Sequence, residues 1–230
     1  MEDIVKRLKD YPYICGLLDK TSYLGETMLI GGALRDYIEN SLKIPPRDFD
    51  IVVDTDDIYL AKVLSSYLPQ KNRFGGYKII NNNMNIDIWC LKDTWAFKEG
   101  KIACSPVEYN YRLKDTVFLN IDSIVYSYTK KIWYDEKYKD AMSSRMLDVV
   151  LEENPQLALN IIRIIIFRRK YGMNVSQRLT AIICNYLKHE SSPFCILNQI
   201  QMDHYKRIIF TERYLREEID RICGSDGSIL

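Results

Sequence analysis

The segment MLIGGALRDYIENSLKIPPRDFDIVVD, Met28 to Asp54, carries two aspartates one residue apart, Asp48 and Asp50, and a glycine pair, Gly31 and Gly32, with Arg35 close behind. On a strand alternate residues face the same way, so the two carboxylates project together while Phe49 and Ile51 project oppositely. Carboxylates held that close repel and raise one another's pKa, a cost that a divalent cation removes. Mg²⁺ suits such a pair because it keeps open positions for substrate phosphates. Glycines at a strand-to-helix turn let the backbone approach a ligand, the helix N-terminus offers unpaired N–H groups to an anion, and Arg35 adds a fixed cation. Together these residues read as a cradle for a metal-bound triphosphate. Asp87, in Ile86-Asp87-Ile88-Trp89, is one acid inside an otherwise apolar strand, an expensive place for an unpaired charge, and is the candidate third carboxylate. Two metals held by such a trio stabilise both attacking and leaving oxygens of an in-line displacement at phosphorus. Asp54, Asp56 and Asp57 read instead as strand-end and helix-cap residues.

The elements that must position these residues follow from periodicity. Met28–Ile30 is a short apolar run, and Ala33–Leu42 a helix with Leu34, Tyr37, Ile38 and Leu42 at helical spacing. Pro45 and Pro46 force a loop. Asp48–Val53 alternates and is β-branched, a strand. Asp56 or Asp57 caps a helix running to Leu68, and Tyr77–Ile80 with Asn85–Leu91 form a hairpin about Asn81–Asn83. Residues 2–20 show a helical stripe interrupted at Pro12. Asp115–Tyr128 is ambiguous. Ala141–Leu151, Pro155–Tyr171, Gln177–His189 and Met202–Cys223 read as helices, the second ending in Arg168, Arg169 and Lys170 at the negative pole of its dipole. The tail Gly224–Leu230 reads as poorly ordered. The expected fold class is α+β: a small mixed β-sheet flanked by helices over residues 1–138, then an all-helical part over residues 139–230.

The bulk composition fits an ordinary globular chain, with 230 residues, 47% of them hydrophobic and 27% charged. Lys+Arg (32) and Asp+Glu (31) nearly cancel, so no global basic field marks the chain as a nucleic-acid binder. The six cysteines contain no C-x-x-C pair and read as reduced structural thiols, and the two histidines cannot complete a metal cluster with them. The N-terminal MEDIVKRLKD lacks the apolar stretch of a signal peptide, and no run approaches the roughly 20 apolar residues of a membrane span. No membrane contact and a cytoplasmic location are expected.

The opening residues resemble the head domain of the nucleotidyltransferase superfamily typified by DNA polymerase β. The resemblance is closer to the class II tRNA CCA-adding enzymes and bacterial poly(A) polymerases, which carry a G-G-x-x-R-D turn followed by D-x-D on the next strand. Gly31-Gly32-Ala33-Leu34-Arg35-Asp36 and Asp48-Phe49-Asp50 match that pattern. The resemblance implies a nucleotidyltransferase head over residues 1–138 and a helical neck and C-terminal domain over 139–230. It also implies that Asp48, Asp50 and Asp87 are the catalytic, metal-holding acids and that Mg²⁺ is the cofactor. Gly31, Gly32 and Arg35 then touch an incoming nucleoside triphosphate. In the helical half, NIIRIIIFRRKYGMNVS resembles the family's neck helix and retains Arg163, which joins the nucleotide-binding residues, and Gly172.

Two family motifs are altered. The R-R-D-F-T-I-N-A segment finds its nearest fit in TVFLNIDSIVY, which puts Asp122 at the asparagine and Thr116 and Val117 at the arginines, with Arg112 or Lys114 as substitutes. The E-D-x-x-R element falls on Gln156 to Asn160, with Asn160 in place of its arginine. The implied reaction is transfer of a nucleotide to an acceptor hydroxyl, first of all an RNA (tRNA) 3′ end. The altered E-D-x-x-R element, which in the CCA-adding enzymes it resembles templates CTP or ATP, and the short stretch after Met173 keep open a protein or small-molecule acceptor, and a catalytically retired nucleotide-binding interaction protein is a third reading. Arg163, Arg168, Arg169, Lys170, Lys206, Arg207, Arg213 and Arg216 form either a phosphate-binding track or a solvated helix face.

Overall fold

Alternation of Asp48 and Asp50 with Phe49, Ile51 and Val53 builds the central strand of the computed structural model, which describes residues 4–72, 75–81 and 84–224. Its elements fall into two units, Met1–Val117 with Asp122–Glu136, and Phe118–Ile121 with Lys137–Leu230. The first begins with α1 (Ile4–Leu8) and α2 (Pro12–Ser22), where Pro12 opens the second helix rather than kinking a longer one. Then come β1 (Thr27–Ile30), α3 (Gly32–Asn40), β2 (Asp48–Val53) and α4 (Asp57–Leu64). Strands β3 (Gln70–Lys71), β4 (Tyr77–Asn81) and β5 (Met84–Cys90) follow, with the short helices α5 (Trp95–Lys98) and α6 (Tyr109–Arg112) after them. Strands β6 (Val125–Ser127) and β7 (Ile132–Tyr134) complete a seven-stranded sheet in the order β3-β4-β5-β2-β1-β6-β7. Among the described strands of this sheet, only the β2–β5 pair is parallel. The fold is α+β, as the patterning indicates.

Pairing register sorts the two faces of this sheet. Phe49, Ile51, Ile86, Ile88 and Leu29 share one face and are fully buried. Tyr11 packs edge-on against Phe49, and Tyr37 of α3 stacks on Trp133 of β7. On the other face Met28, Val52 and Val125 form an apolar cluster closed by Leu91, Phe97 and Leu113. That cover stops short of the residues at the N-terminal end of β2, where Asp48 and Asp50 stand.

The second unit has its own framework. A helix, α7 (Glu136–Ser144), leads into the parallel pair β8 (Met146–Leu147) and β9 (Asn174–Val175), between which runs α8 (Leu157–Tyr171). Helices α9 (Gln177–His189), α10 (Pro193–Tyr205) and α11 (Glu212–Gly224) follow. Gly172 caps α8 in the left-handed conformation, φ +61°.

Four expectations are corrected here. The helix read over Ala141–Leu151 ends at Ser144, and Met146–Leu147 is a strand. The helix read over Met202–Cys223 is two helices, separated where Lys206 turns left-handed and where buried Gln201 accepts from the N–H groups of Ile209 and Phe210. Cys184 of α9 and Cys223 of α11 form a disulfide, so these two are not free thiols. The α4 helix stops at Leu64 and passes into a 3₁₀ turn, and the Asp56 side chain makes an ion pair with Lys92 instead of capping it. The hairpin turn at Asn82–Asn83 and the tail after Gly224 lie outside the described residues. No helix among the described residues is long and apolar enough to cross a membrane.

Phe49 holds β2 in the orientation that puts its acids on the opposite face. Phe49→Ala is expected to destabilise the protein by about 3–5 kcal/mol, read as a lowered urea midpoint with unchanged m-value.

Candidate active site

Three acids predicted from sequence lie together on one face. In the parallel β2–β5 register Asp50 stands directly opposite Asp87, and Asp48 opposite Asn85, so Asp48, Asp50 and Asp87 project from the same side of the sheet. Ile30 of β1 flanks Asp50 on its other side, and Val52 follows it along the strand. Burial in this surround, with repulsion from Asp48 and then Asp87, pushes Asp50 up to about 7, against the opposing pull of Arg47 and Arg35. Asp87 is also raised, first by burial and then by Asp48, while Lys78 and Arg47 pull it down.

The glycine turn follows β1 directly beside this cluster. Gly31 has φ +75°, which disfavours any side chain, and a Cβ there would lie 3.1 Å from Asp50 Oδ2. Glycine is thus required both by the turn and by the carboxylate beneath it. Gly32 opens α3, and Arg35 folds back so that its Nη2 would stand 3.6 Å from a Cβ on Gly32. Acid, turn and guanidinium therefore adjoin one another.

Two ion pairs at the site were not legible in advance. Arg47 donates from Nε (3.0 Å) and Nη2 (2.8 Å) to Oδ2 of Asp48. Arg35 pairs through Nη1 with Oδ1 of Asp122, both side chains being largely buried. The Asp122 carboxylate therefore supplies the charge that holds Arg35 over the glycine turn.

The remaining expected residues are placed as follows. Lys114 is buried and bonded to Glu136 at 2.9 Å, with its ammonium 3.5 Å from the Tyr111 ring centroid, and Arg112 pairs with Asp115 at 3.1 Å. Arg163 belongs to the second unit, where it donates to Asn160 at 3.3 Å and lies over the Phe167 ring. Much of the cationic series of that unit is internally neutralised: Arg168 pairs with Glu218, Arg213 with Glu217, and Arg216 with Glu212. Arg213 and Arg216, paired within α11, fit a solvated helix face better than a phosphate track, and Arg168 is engaged in a partly buried pair between α8 and α11.

The donor chemistry of Asp48, Asp50 and Asp87 fits a hard divalent cation: all-oxygen, anionic and destabilised by mutual repulsion. Among the described residues no group of three His, Cys, Asp or Glu side chains is already spaced as a metal site. Asp48 has its Oδ2 turned to Arg47.

No protein-family model and no curated protein matches the sequence. Solved structures do match. A CCA-adding enzyme in complex with ATP aligns at a TM-score of 0.67 over 96% of this chain and 55% of its own, with 16% identity. A Thermotoga maritima CCA-adding enzyme complexed with tRNA aligns at 0.63 over 96% and 54%, with 17% identity. Over that aligned part the fold is that of these CCA-adding enzymes. A tRNA-processing enzyme with CTP shares it at a TM-score of 0.58, over 89% of this chain and 55% of its own, with 17% identity. The chain spans about half the length of these enzymes.

Two expected outcomes follow from the electrostatics. The folded protein holds the Asp50 proton more tightly than an unfolded chain, in which a carboxyl titrates near about 4. Its contribution is therefore complete below about pH 4 and is lost as pH rises through about 7. In chelator, wild-type stability to urea is expected to fall between pH 5 and pH 8, and Asp50→Asn to fall less and to exceed wild type at pH 8. A wild type that gains stability over this range contradicts the assignment. Separately, Asp122→Ala removes the buried carboxylate that pairs with Arg35 and is expected to cost about 3–5 kcal/mol, while Asp122→Asn, which keeps a hydrogen-bond acceptor, costs less.

Proposed function

We propose that this protein is a Mg²⁺-dependent nucleotidyltransferase that moves a nucleotide from an NTP to an acceptor hydroxyl, best an RNA (tRNA) 3′ end. Residues 1–138 serve as the nucleotidyltransferase head and 139–230 as the helical neck and C-terminal domain. The observation that carries the reading is the in-register pairing of Asp50 with Asp87 on the face that also bears Asp48, beside the left-handed Gly31 and the Arg35 guanidinium. The structural neighbours add support: they are CCA-adding or tRNA-processing enzymes with ATP, CTP or tRNA.

Asp48, Asp50 and Asp87 would hold Mg²⁺, which when bound supplies neutralisation of phosphate charge and acidity for the attacking hydroxyl. The chain's own residues do the rest. The glycine turn admits the triphosphate close to the backbone of α3, and Arg35, fixed by Asp122, offers a cation to its oxygens. Arg163 is carried as a nucleotide-binding residue by the family resemblance. The acceptor oxygen forms a bond to the α-phosphorus as the bond from that phosphorus to the bridging oxygen of the β-phosphate breaks, and pyrophosphate leaves. Asp87, made more basic by burial and by Asp48, would take the proton of the acceptor hydroxyl. Arg47, exposed and bound to Asp48, must move off that carboxylate for it to serve a metal.

Incubation with α-labelled NTPs, Mg²⁺ and tRNA or total lysate is expected to place label in RNA and to release pyrophosphate. Asp48→Ala and Asp50→Ala are each expected to reduce transfer by at least about 10³-fold. Label in protein or in a small molecule would move the acceptor to those classes, and absence of label anywhere would overturn the reading.

A further inference from the structure

The row of side chains that crosses the acid face does not end at Asp87. Lys78 of β4 stands directly opposite Asp87 in the antiparallel β4–β5 register, and Gln70 of β3 opposite Lys78. The order across the face is thus Ile30, Asp50, Asp87, Lys78, Gln70. Tyr77 and Ile79, on either side of Lys78, are buried on the other face, which fixes its direction. Lys78 is half-buried, and among the described residues its ammonium has neither a hydrogen bond nor an ion pair. The neighbouring cations differ in this: Arg47 is bound to Asp48, Arg35 to Asp122, and Lys71 to Asp57.

Direction of attack gives this lysine a task. If the triphosphate lies over the glycine turn and Arg35, the leaving pyrophosphate departs on the β1 side of Asp50. An in-line displacement requires the nucleophile to enter opposite the leaving group, hence from the β5–β4 side, where Lys78 stands. A cation there is remote from the departing phosphates and adjacent to the entering hydroxyl. A serine, tyrosine or small alcohol brings no obligatory anion next to that hydroxyl. The last nucleotide of a strand brings the phosphodiester that joins it to the chain.

We propose that Lys78 binds the terminal phosphodiester of a nucleic-acid acceptor and thereby places its 3′-hydroxyl beside Asp87. This rests on the nucleotidyltransferase reading above and narrows its acceptor to a strand with a charged final linkage. A lysine suits the task as a point charge on a flexible stem, and its contribution is a charge-assisted hydrogen bond felt by the acceptor and not by the NTP.

The test uses the full chain, Mg²⁺, labelled NTPs and a synthetic RNA hairpin with a single-stranded 3′ end, prepared with a normal or an uncharged methylphosphonate final linkage. Lys78→Ala is expected to raise the KM for the normal RNA about 10-fold or more and to leave the KM for NTP unchanged, while Lys78→Arg stays near wild type. The methylphosphonate is expected to cost wild type a similar factor and to cost Lys78→Ala nothing further. An effect of Lys78→Ala on NTP instead of RNA, or a methylphosphonate penalty of equal size in wild type and Lys78→Ala, overturns the proposal. If wild type labels protein or a small alcohol but no RNA, this inference falls and nucleotidyl transfer stands. If wild type labels nothing, both fall.

Discussion

Everything at the candidate site depends on like charges held on one face of a sheet. Asp48 and Asp50 are forced together by strand geometry, and the parallel pairing of β2 with β5 brings Asp87 into the same row. Folding supplies the energy to do this because the opposite face, with Phe49, Ile51, Ile86 and Ile88, is fully buried. Shifting either strand by one residue would exchange acids for core side chains, so the hydrophobic register enforces the repulsion. A group of carboxylates kept in an unfavourable state by the fold is poised for a ligand that relieves it.

The surrounding charges are arranged around that constraint. Arg47 leans on Asp48 from solvent, whereas Arg35 is fixed from behind by buried Asp122. One guanidinium is exposed and paired at the surface, and the other is anchored beside the left-handed glycine turn. Lys78 flanks the row on the far side. The acid row is thereby bracketed by cations suited to phosphate oxygens at both ends, with an apolar cluster of Met28, Val52 and Val125 closing the sheet beyond Asp50. That apolar wall desolvates Asp50 and strengthens each electrostatic term around it.

The parts of this arrangement legible in sequence are those set by local rules. Asp48–Val53 reads as a strand because it alternates and is β-branched, and the glycine pair marks the turn because an apolar run stops there and helical spacing begins. Strands β6 and β7 escape such reading, since three residues contain too little period to register. The break between α10 and α11 was hidden because its left-handed residue is Lys206 and its polar anchor is Gln201, neither of which is a standard stop signal. Pairings such as Arg35 with Asp122, 87 residues apart, and the Cys184–Cys223 bridge, 39 apart, are products of tertiary folding with no local trace. The sequence shows Lys78 only as part of a hairpin strand; its relation to Asp87 follows from the β4–β5 register, a product of strand pairing.

The central claim is that repulsion among Asp48, Asp50 and Asp87 is relieved by a divalent cation. It is tested most directly by titrating Mn²⁺ into the protein with ATP present and following the free-ion signal by electron paramagnetic resonance, for wild type and for Asp50→Asn. The account predicts that wild type removes Mn²⁺ from solution beyond what ATP alone binds and that Asp50→Asn does not. Equal Mn²⁺ uptake by the two proteins, or none by either, would contradict it.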